Sequence, residues 1–198
     1  MTARTPAPTT LTGRHVRLEP LALDHVPELF AAGAADEEIW RWMPVAAPRT
    51  EDELRAVAAM LLARAPEQLA FAVVARDSGR ALGWTTYHEI DARDERLEIG
   101  WTWYARSAWR TAVNTESKLL LLTHAFEELG MGRVQWRTDI FNLRSQNAIA
   151  RLGARRESVH RRERQRPDGS WRDSVYFSLL LDEWPAARAR LTERLERG

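Results

Sequence analysis

Apolar residues recur along this chain with two different periods, and the places where the period changes mark its elements. Leu11 to Leu21 alternates around Val16, Leu18 and Pro20, the two-residue period of an opening strand. Asp24 stands where a helix cap belongs, ahead of a short helix through Phe30 and Ala32 that closes near Gly33. Thr50 and Glu53 have the spacing of a capping box, and Leu54, Val57, Ala58, Leu61 and Leu62 follow at helical spacing. Three strands come next. They are Leu69 to Ala75, Ala81 to Glu89 after the turn Asp77-Ser78-Gly79, and Arg96 to Tyr104 after a polar break from Asp91 to Glu95. In the third, Leu97, Ile99, Trp101 and Trp103 alternate against Glu98, Gly100 and Thr102. Short loops make these three an antiparallel meander.

The period then becomes helical. Asn114 to Leu129 carries Leu119, Leu122, Phe126 and Leu129 on one stripe and ends at Gly130 or Gly132. Arg133 to Asp139 is a strand, and Arg144 to Leu152 a short helix ending at Gly153. Glu157 to Arg166 and Trp171 to Leu181 form a hairpin around Pro167-Asp168-Gly169, and Asp182 caps a last charged helix that reaches Arg197. The strand–helix–strand run from Glu98 to Asp139 is a crossover unit, so its two strands are expected to be parallel. The fold class is therefore α/β (α+β), with a mixed, mostly antiparallel sheet.

Composition narrows the picture further. The chain has 198 residues, of which 44% are hydrophobic and 29% charged, enough for one α/β domain with a substantial core. No repeat or long linker divides it, so residues 11–198 read as one domain behind a flexible leader, residues 1–10. That leader lacks the apolar core of a signal peptide, and no apolar run approaches the roughly 20 residues of a membrane span. There is no cysteine, which excludes disulfides, thiolate nucleophiles and zinc–sulfur sites and fits a cytoplasmic location. A net charge of +1 gives no global attraction to nucleic acid or membrane. His15, His25, His88, His124 and His160 show no i, i+4 ligand pair, so no metal is expected. No Gly-x-Ser-x-Gly elbow is present for an acyl-serine enzyme. Lys118 is the sole lysine, every other cationic side chain but histidine being arginine. Seven arginines crowd Arg151 to Arg166, which reads first as a solvated hairpin face.

Two segments carry candidate chemistry. The strand-to-helix turn contains Trp109, Arg110, Thr111, Ala112, Val113, Asn114 and Thr115. A helix start exposes free N–H groups and the positive end of its dipole, a site for phosphate; the plainer reading is a cap by Asn114 or Thr115. The second segment, Asn142 to Gly153, opens a helix at the C-terminal end of the neighbouring strand, the edge where open α/β sheets bind ligands. Asn142 and Ser145 can point the same way from its first turn, one to bond an amide and the other to donate a proton; the plainer reading is again a cap.

From Leu11 to Trp184 the order and spacing of these motifs resemble the GNAT family of N-acetyltransferases, in particular its RimJ/RimL-type branch. The resemblance rests on Glu98-Ile99-Gly100-Trp101, Asn114-Thr115-Glu116, Ala125-Phe126-Glu127-Glu128-Leu129-Gly130, Asn142 with Ser145, and Pro167-Asp168-Gly169 followed by Glu183-Trp184. It implies two splayed parallel strands with acetyl-CoA in the gap, the pantetheine arm on the backbone of Thr102, Trp103 and Tyr104. It also implies pyrophosphate on the N–H groups of Arg110 to Thr115, Asn142 on the pantetheine and Ser145 near the thioester sulfur as general acid. Glu98, Asp139 and His88 are candidates for the base, acting through water, with Asp139 also placed to orient a loop or the amine. Trp40 and Trp42 would wall the acceptor site. The implied acceptor is a primary amine, of a protein N-terminus or a small molecule, and a homodimer is expected. The alternative is an inactive CoA-binding regulatory or interaction module.

Three positions depart from the family pattern. Arg110 stands at the first glycine of the pyrophosphate turn and Ser107 at its leading residue. Ile149 stands where many relatives carry a catalytic tyrosine, and Ala154 where a phenylalanine often follows the helix-ending glycine.

Overall fold

In the computed structural model, which describes residues 2–197, the opening strand is two short ones. They are β1 (Leu11–Thr12) and β2 (Val16–Pro20), paired antiparallel across a tight turn. Their turn is held from outside: the Glu116 carboxylate accepts the backbone N–H groups of Arg14, His15 and Val16 at 2.8, 2.6 and 2.7 Å. Gly13 makes room for it, since a Cβ there would lie 2.4 Å from the Glu116 carboxyl carbon. The first helical stretch begins at Leu23, so Asp24 lies inside the first turn rather than at its cap. It runs through α1 (Val26–Leu29) to Ala34, with Gly33 at φ +113° where it closes. Helix α2 (Glu37–Trp40) follows, then α3 (Glu51–Leu62). Thr50 caps α3 by accepting from the Glu53 N–H, but the Glu53 carboxylate takes the N–H of Arg49 instead of that of Thr50.

The meander is β3 (Leu69–Ala75), β4 (Ala81–Asp91) and β5 (Arg96–Tyr104). Helix α4 (Ala112–Thr123) widens into π-type turns over His124–Glu128 and ends at Gly130, φ +72°. Then come β6 (Arg133–Asp139), α5 (Leu143–Arg151), the hairpin β7 (Arg155–Gln165) with β8 (Trp171–Leu180), and α6 (Trp184–Arg197). Helix α6 starts two residues beyond the expected cap, Asp182. The strands form one sheet in the order β1-β2-β3-β4-β5-β6-β8-β7, antiparallel at every pair but one. The exception is β5 with β6, which the crossover through α4 makes parallel.

Each face of the sheet carries its own core. Leu97, Ile99, Val134, Leu121, Leu122, Ile149 and Leu191 pack on the face covered by α4, α5 and α6. Leu29, Trp40, Leu54, Leu61, Trp84 and Trp103 pack on the face covered by α1, α2 and α3. Ala154 sits in the first core, so the missing phenylalanine is a packing change. The leader is tied down at Ala3, which is buried, and at Arg4, whose N–H donates to Leu129 O at 2.8 Å. No helix is long and apolar enough to cross a membrane among the described residues.

Candidate active site

The parallel pair lasts three residues. Arg96, Leu97 and Glu98 pair with Arg133, Val134 and Gln135, and there the ladder stops. Beyond it the strands diverge, leaving the β5 backbone from Ile99 onward without a partner on that side. At this point β5 also changes face. The β4–β5 register slips between Thr86↔Gly100 and Trp84↔Trp103, and Trp101 takes φ +49°. This is a β-bulge, and it breaks the expected alternation: Leu97 and Ile99 lie in one core, Trp103 in the other. Thr102 is thereby turned toward α4. Its hydroxyl lies 2.8 Å from that of Thr85, and Lys118 Nζ donates to both at 3.0 Å. Lys118 is buried with no carboxylate beside it, and that burial lowers its pKa to about 7.

At the end of β5 the chain enters the turn before α4. The helix starts earlier than the apolar stripe predicts. Its cap is Thr111, which accepts from the Val113 N–H at 3.3 Å and donates to Ala108 O at 2.7 Å, so Asn114 and Thr115 lie inside the first turns. Arg110 precedes the cap at φ +62°, the left-handed conformation that glycine adopts without strain, and its side chain is exposed. Trp109 closes the turn. Its indole donates to Tyr104 O at 2.9 Å, and its ring is flanked by the guanidinium groups of Arg144 at 4.1 Å and Arg106 at 5.2 Å. The Tyr104 carbonyl is thus already occupied, and its buried hydroxyl is held above the usual phenol range by desolvation. Across the gap, Asn142 caps α5 by accepting the Ser145 N–H at 3.0 Å. This leaves the Asn142 amide NH₂ as a donor and keeps the Ser145 hydroxyl half-buried on the same turn. These parts fit a thioester cosubstrate with an amide-bearing arm and a pyrophosphate: a free strand edge, an amide donor, the N–H group of Ala112 at the start of α4, and cations at Arg110 and Arg144.

On the opposite face of the sheet, below the divergence, Glu98 is almost wholly buried. It accepts from Arg137 Nε and Gln135 Nε2, each at 3.1 Å, and lies 3.4 Å from His88 Nε2. Burial pushes its pKa up, against the opposing pull of Arg137. His88 is neutral: burial, then the charges of Arg137, Arg164 and Arg64, bring its pKa to about 3, so its contact with Glu98 is not an ion pair. Gly100 makes space for the imidazole, since a Cβ there would lie 2.3 Å from Nε2. His88 and the Trp101 ring open onto a cleft of about 710 Å³ between the end of α3, the loop at Pro44–Val45, and strands β4 to β7.

The other candidates divide. Asp139 is buried in a two-point ion pair with Arg166, at 2.7 and 3.1 Å, and accepts the Phe141 N–H. Both its oxygens are engaged, so it fixes the loop after β6 and is not poised as a base. Trp40 is 2% exposed and packs edge-to-face against Trp84 at 5.8 Å and tilted against Trp103 at 5.7 Å; it is core, not an acceptor wall. Trp42 lies on a small crevice beside Arg166. The aromatic wall of the cleft is Trp101, which the sequence placed in the strand without that role. Arg64, Arg137 and Arg164 were also missed. Arg137 alone had a signal, since it shares a strand face with Gln135, two residues on and opposite Glu98.

Splayed parallel strands with a capped helix start at their mouth are the arrangement that the acetyltransferase resemblance implied. Residues 15–155 match the model of the acetyltransferase (GNAT) domain. No curated protein matches the chain. A GCN5-related N-acetyltransferase from Brucella melitensis is 30% identical, with TM-score 0.93 over 98% of this chain and 88% of that one. A T. thermophilus protein named as an acetyltransferase is 40% identical, with TM-score 0.87 over 96% and 98%. Mycobacterium smegmatis RimJ, solved with CoA-disulfide, shares the fold at 22% identity and TM-score 0.81 over 94% and 95%. The chain belongs to the GNAT acetyltransferase family and is an enzyme of that kind.

Proposed function

We propose that this enzyme acetylates a primary amine directly from acetyl-CoA. The observation that carries this is the three-residue parallel pair, which leaves an unpaired β5 edge leading to the start of α4. The RimJ neighbour, of the branch that the sequence resembles, was solved with a CoA derivative in a fold of the same kind. Bound between the strands, acetyl-CoA would supply the activated acetyl group. The Tyr104 N–H, on the side of β5 that faces the gap, polarises the thioester carbonyl. The amine nitrogen enters from the cleft and forms the C–N bond as the C–S bond breaks. Glu98, whose pKa burial raises, takes the surplus amine proton through water or across the neutral His88 ring 3.4 Å away. The thiolate takes a proton from Ser145. The products are the N-acetyl amine and free CoA thiol.

Calorimetric titration with acetyl-CoA tests the first half. The expected Kd is micromolar, about −8 kcal/mol. Thiol release over a panel of amines tests the second. Glu98→Gln is expected to lower kcat/KM by roughly 10²-fold and flatten its pH profile, with acetyl-CoA affinity retained. Ser145→Ala is expected to lower kcat more than it raises KM. Binding without turnover of any amine would point to a regulatory module, and absence of binding would reject the reading outright.

A further inference from the structure

The cleft in front of His88 is unusually rich in guanidinium groups for a site that receives an amine. Arg64, Arg96, Arg137 and Arg164 line it, contributed by the end of α3, β5, β6 and β7. Two of them are neutralised. Arg96 lies 3.3 Å from Asp91, and Arg137 lies 3.1 Å from both Glu89 and Glu98. Arg64 and Arg164 have no carboxylate within ion-pair distance among the described residues, although Glu67 stands on the exposed rim. Their charges still reach the inner wall, where with that of Arg137 they add to the burial that keeps His88 neutral. The remaining lining is apolar apart from Gln68: Pro44, Val45, Met60, Ile90 and Trp101. The volume is that of a pocket for a small molecule.

We infer that the acceptor is a small primary amine that also carries an oxyanion, a carboxylate or a phosphate, held by Arg64 and Arg164 while its nitrogen faces His88. This rests on the acetyltransferase reading and narrows its acceptor. Two consequences of the charge arrangement support it. A positive wall disfavours an ammonium ion and so favours the neutral amine that attack requires. The inner wall offers a diamine's second charge no free carboxylate, Glu67 lying out on the rim, whereas an oxyanion on the acceptor meets the two unpaired guanidinium groups and can be gripped by both. The transfer is balanced as before: C–N forms, C–S breaks, the amine loses one proton and the thiolate gains one.

The test compares kcat/KM for ethanolamine, 1,4-diaminobutane, β-alanine and phosphoethanolamine, with an acidic and a neutral tetrapeptide as further arms. Phosphoethanolamine or β-alanine is expected to exceed ethanolamine and diaminobutane by at least tenfold, and which of the two leads identifies the oxyanion. In Arg164→Gln and Arg64→Gln the preference should fall toward unity, chiefly through KM. Calorimetry with phosphoethanolamine and with β-alanine should show binding to the wild type that each substitution weakens. Equal or better use of the diamine, a preference untouched by both substitutions, or preference for the tetrapeptides overturns the inference alone. Acetyl-CoA affinity is measured in parallel, and its absence overturns the acetyltransferase reading together with the inference.

Discussion

Lys118 places an amine where desolvation is opposed by two hydroxyls and no carboxylate. In the unfolded chain it keeps its proton to about pH 10.5, and in the folded one to about pH 7. Between those values the unfolded state binds the extra proton, so stability should rise as pH increases from 7 toward 10.5. The slope approaches about 1.4 kcal/mol per pH unit. Lys118→Met should abolish that rise; urea midpoints at pH 7 and 9.5 measure it, and an identical rise in both proteins would show that the amine is not desolvated. Arg110 is a second local cost, a side chain at φ +62°. Arg110→Gly should stabilise the fold by about 1 kcal/mol, read from the denaturation midpoint. As the sole lysine, Lys118 was conspicuous in the sequence. Its partners were not, because Thr85 and Thr102 lie 33 and 16 residues away and meet it through the fold.

Among the elements, β5 was the most misleading to read. Its apolar residues alternate without a break from Leu97 to Trp103, and tryptophan suits either face, so nothing in the pattern marks the bulge. The one trace is in the neighbouring strand: at Gly83 a Cβ would lie 2.1 Å from Trp103 O. Gly83→Ala should therefore cost about 1–3 kcal/mol and weaken acetyl-CoA binding, because the strand edge it displaces is the one left unpaired. Wild-type affinity in a destabilised variant would separate the two effects and disconnect the bulge from the site. The start of α4 was misread for a different reason. Its long apolar stripe begins at Leu119, while Thr111 caps a first turn built from small and polar residues. By contrast, Asn142 at the head of α5 was legible because side chain and N–H belong to the same four residues.

At the scale of the whole molecule, the order from β3 to β6 followed from periods and loop lengths, and so did the parallel pair, whereas the place of β1 and β2 beside β3 did not. Nor did the cleft. Its arginines come from four separate segments, and each alone resembles a solvated surface cation. The same holds for the pair of Asp139 and Arg166, which joins the end of β6 to the end of β7 across 27 residues. Arg166→Met leaves a buried carboxylate without its cation. It should cost roughly 3 kcal/mol, the low end for a buried pair because Arg166 keeps some solvent contact. Asp139→Asn combined with Arg166→Met should cost less than Arg166→Met alone; a larger loss in the double variant would show that the pair contributes nothing jointly.

The bulge at Trp101 gives the strand a parity. Counted from Glu98, even and odd positions exchange sides at that residue, so one chain segment walls the acceptor cleft first and secures α4 next. Deleting a single residue between Gly100 and Thr102 would restore the count. Thr102 would then stand opposite Thr85 and Trp103 opposite Trp84 as before, each on its present side, and only the Trp101 wall would be lost. One inserted amino acid thus gives the cleft its aromatic wall without displacing Thr102 from Lys118, and shortening the strand there would remove the wall and leave the later side chains of β5 in their compartments.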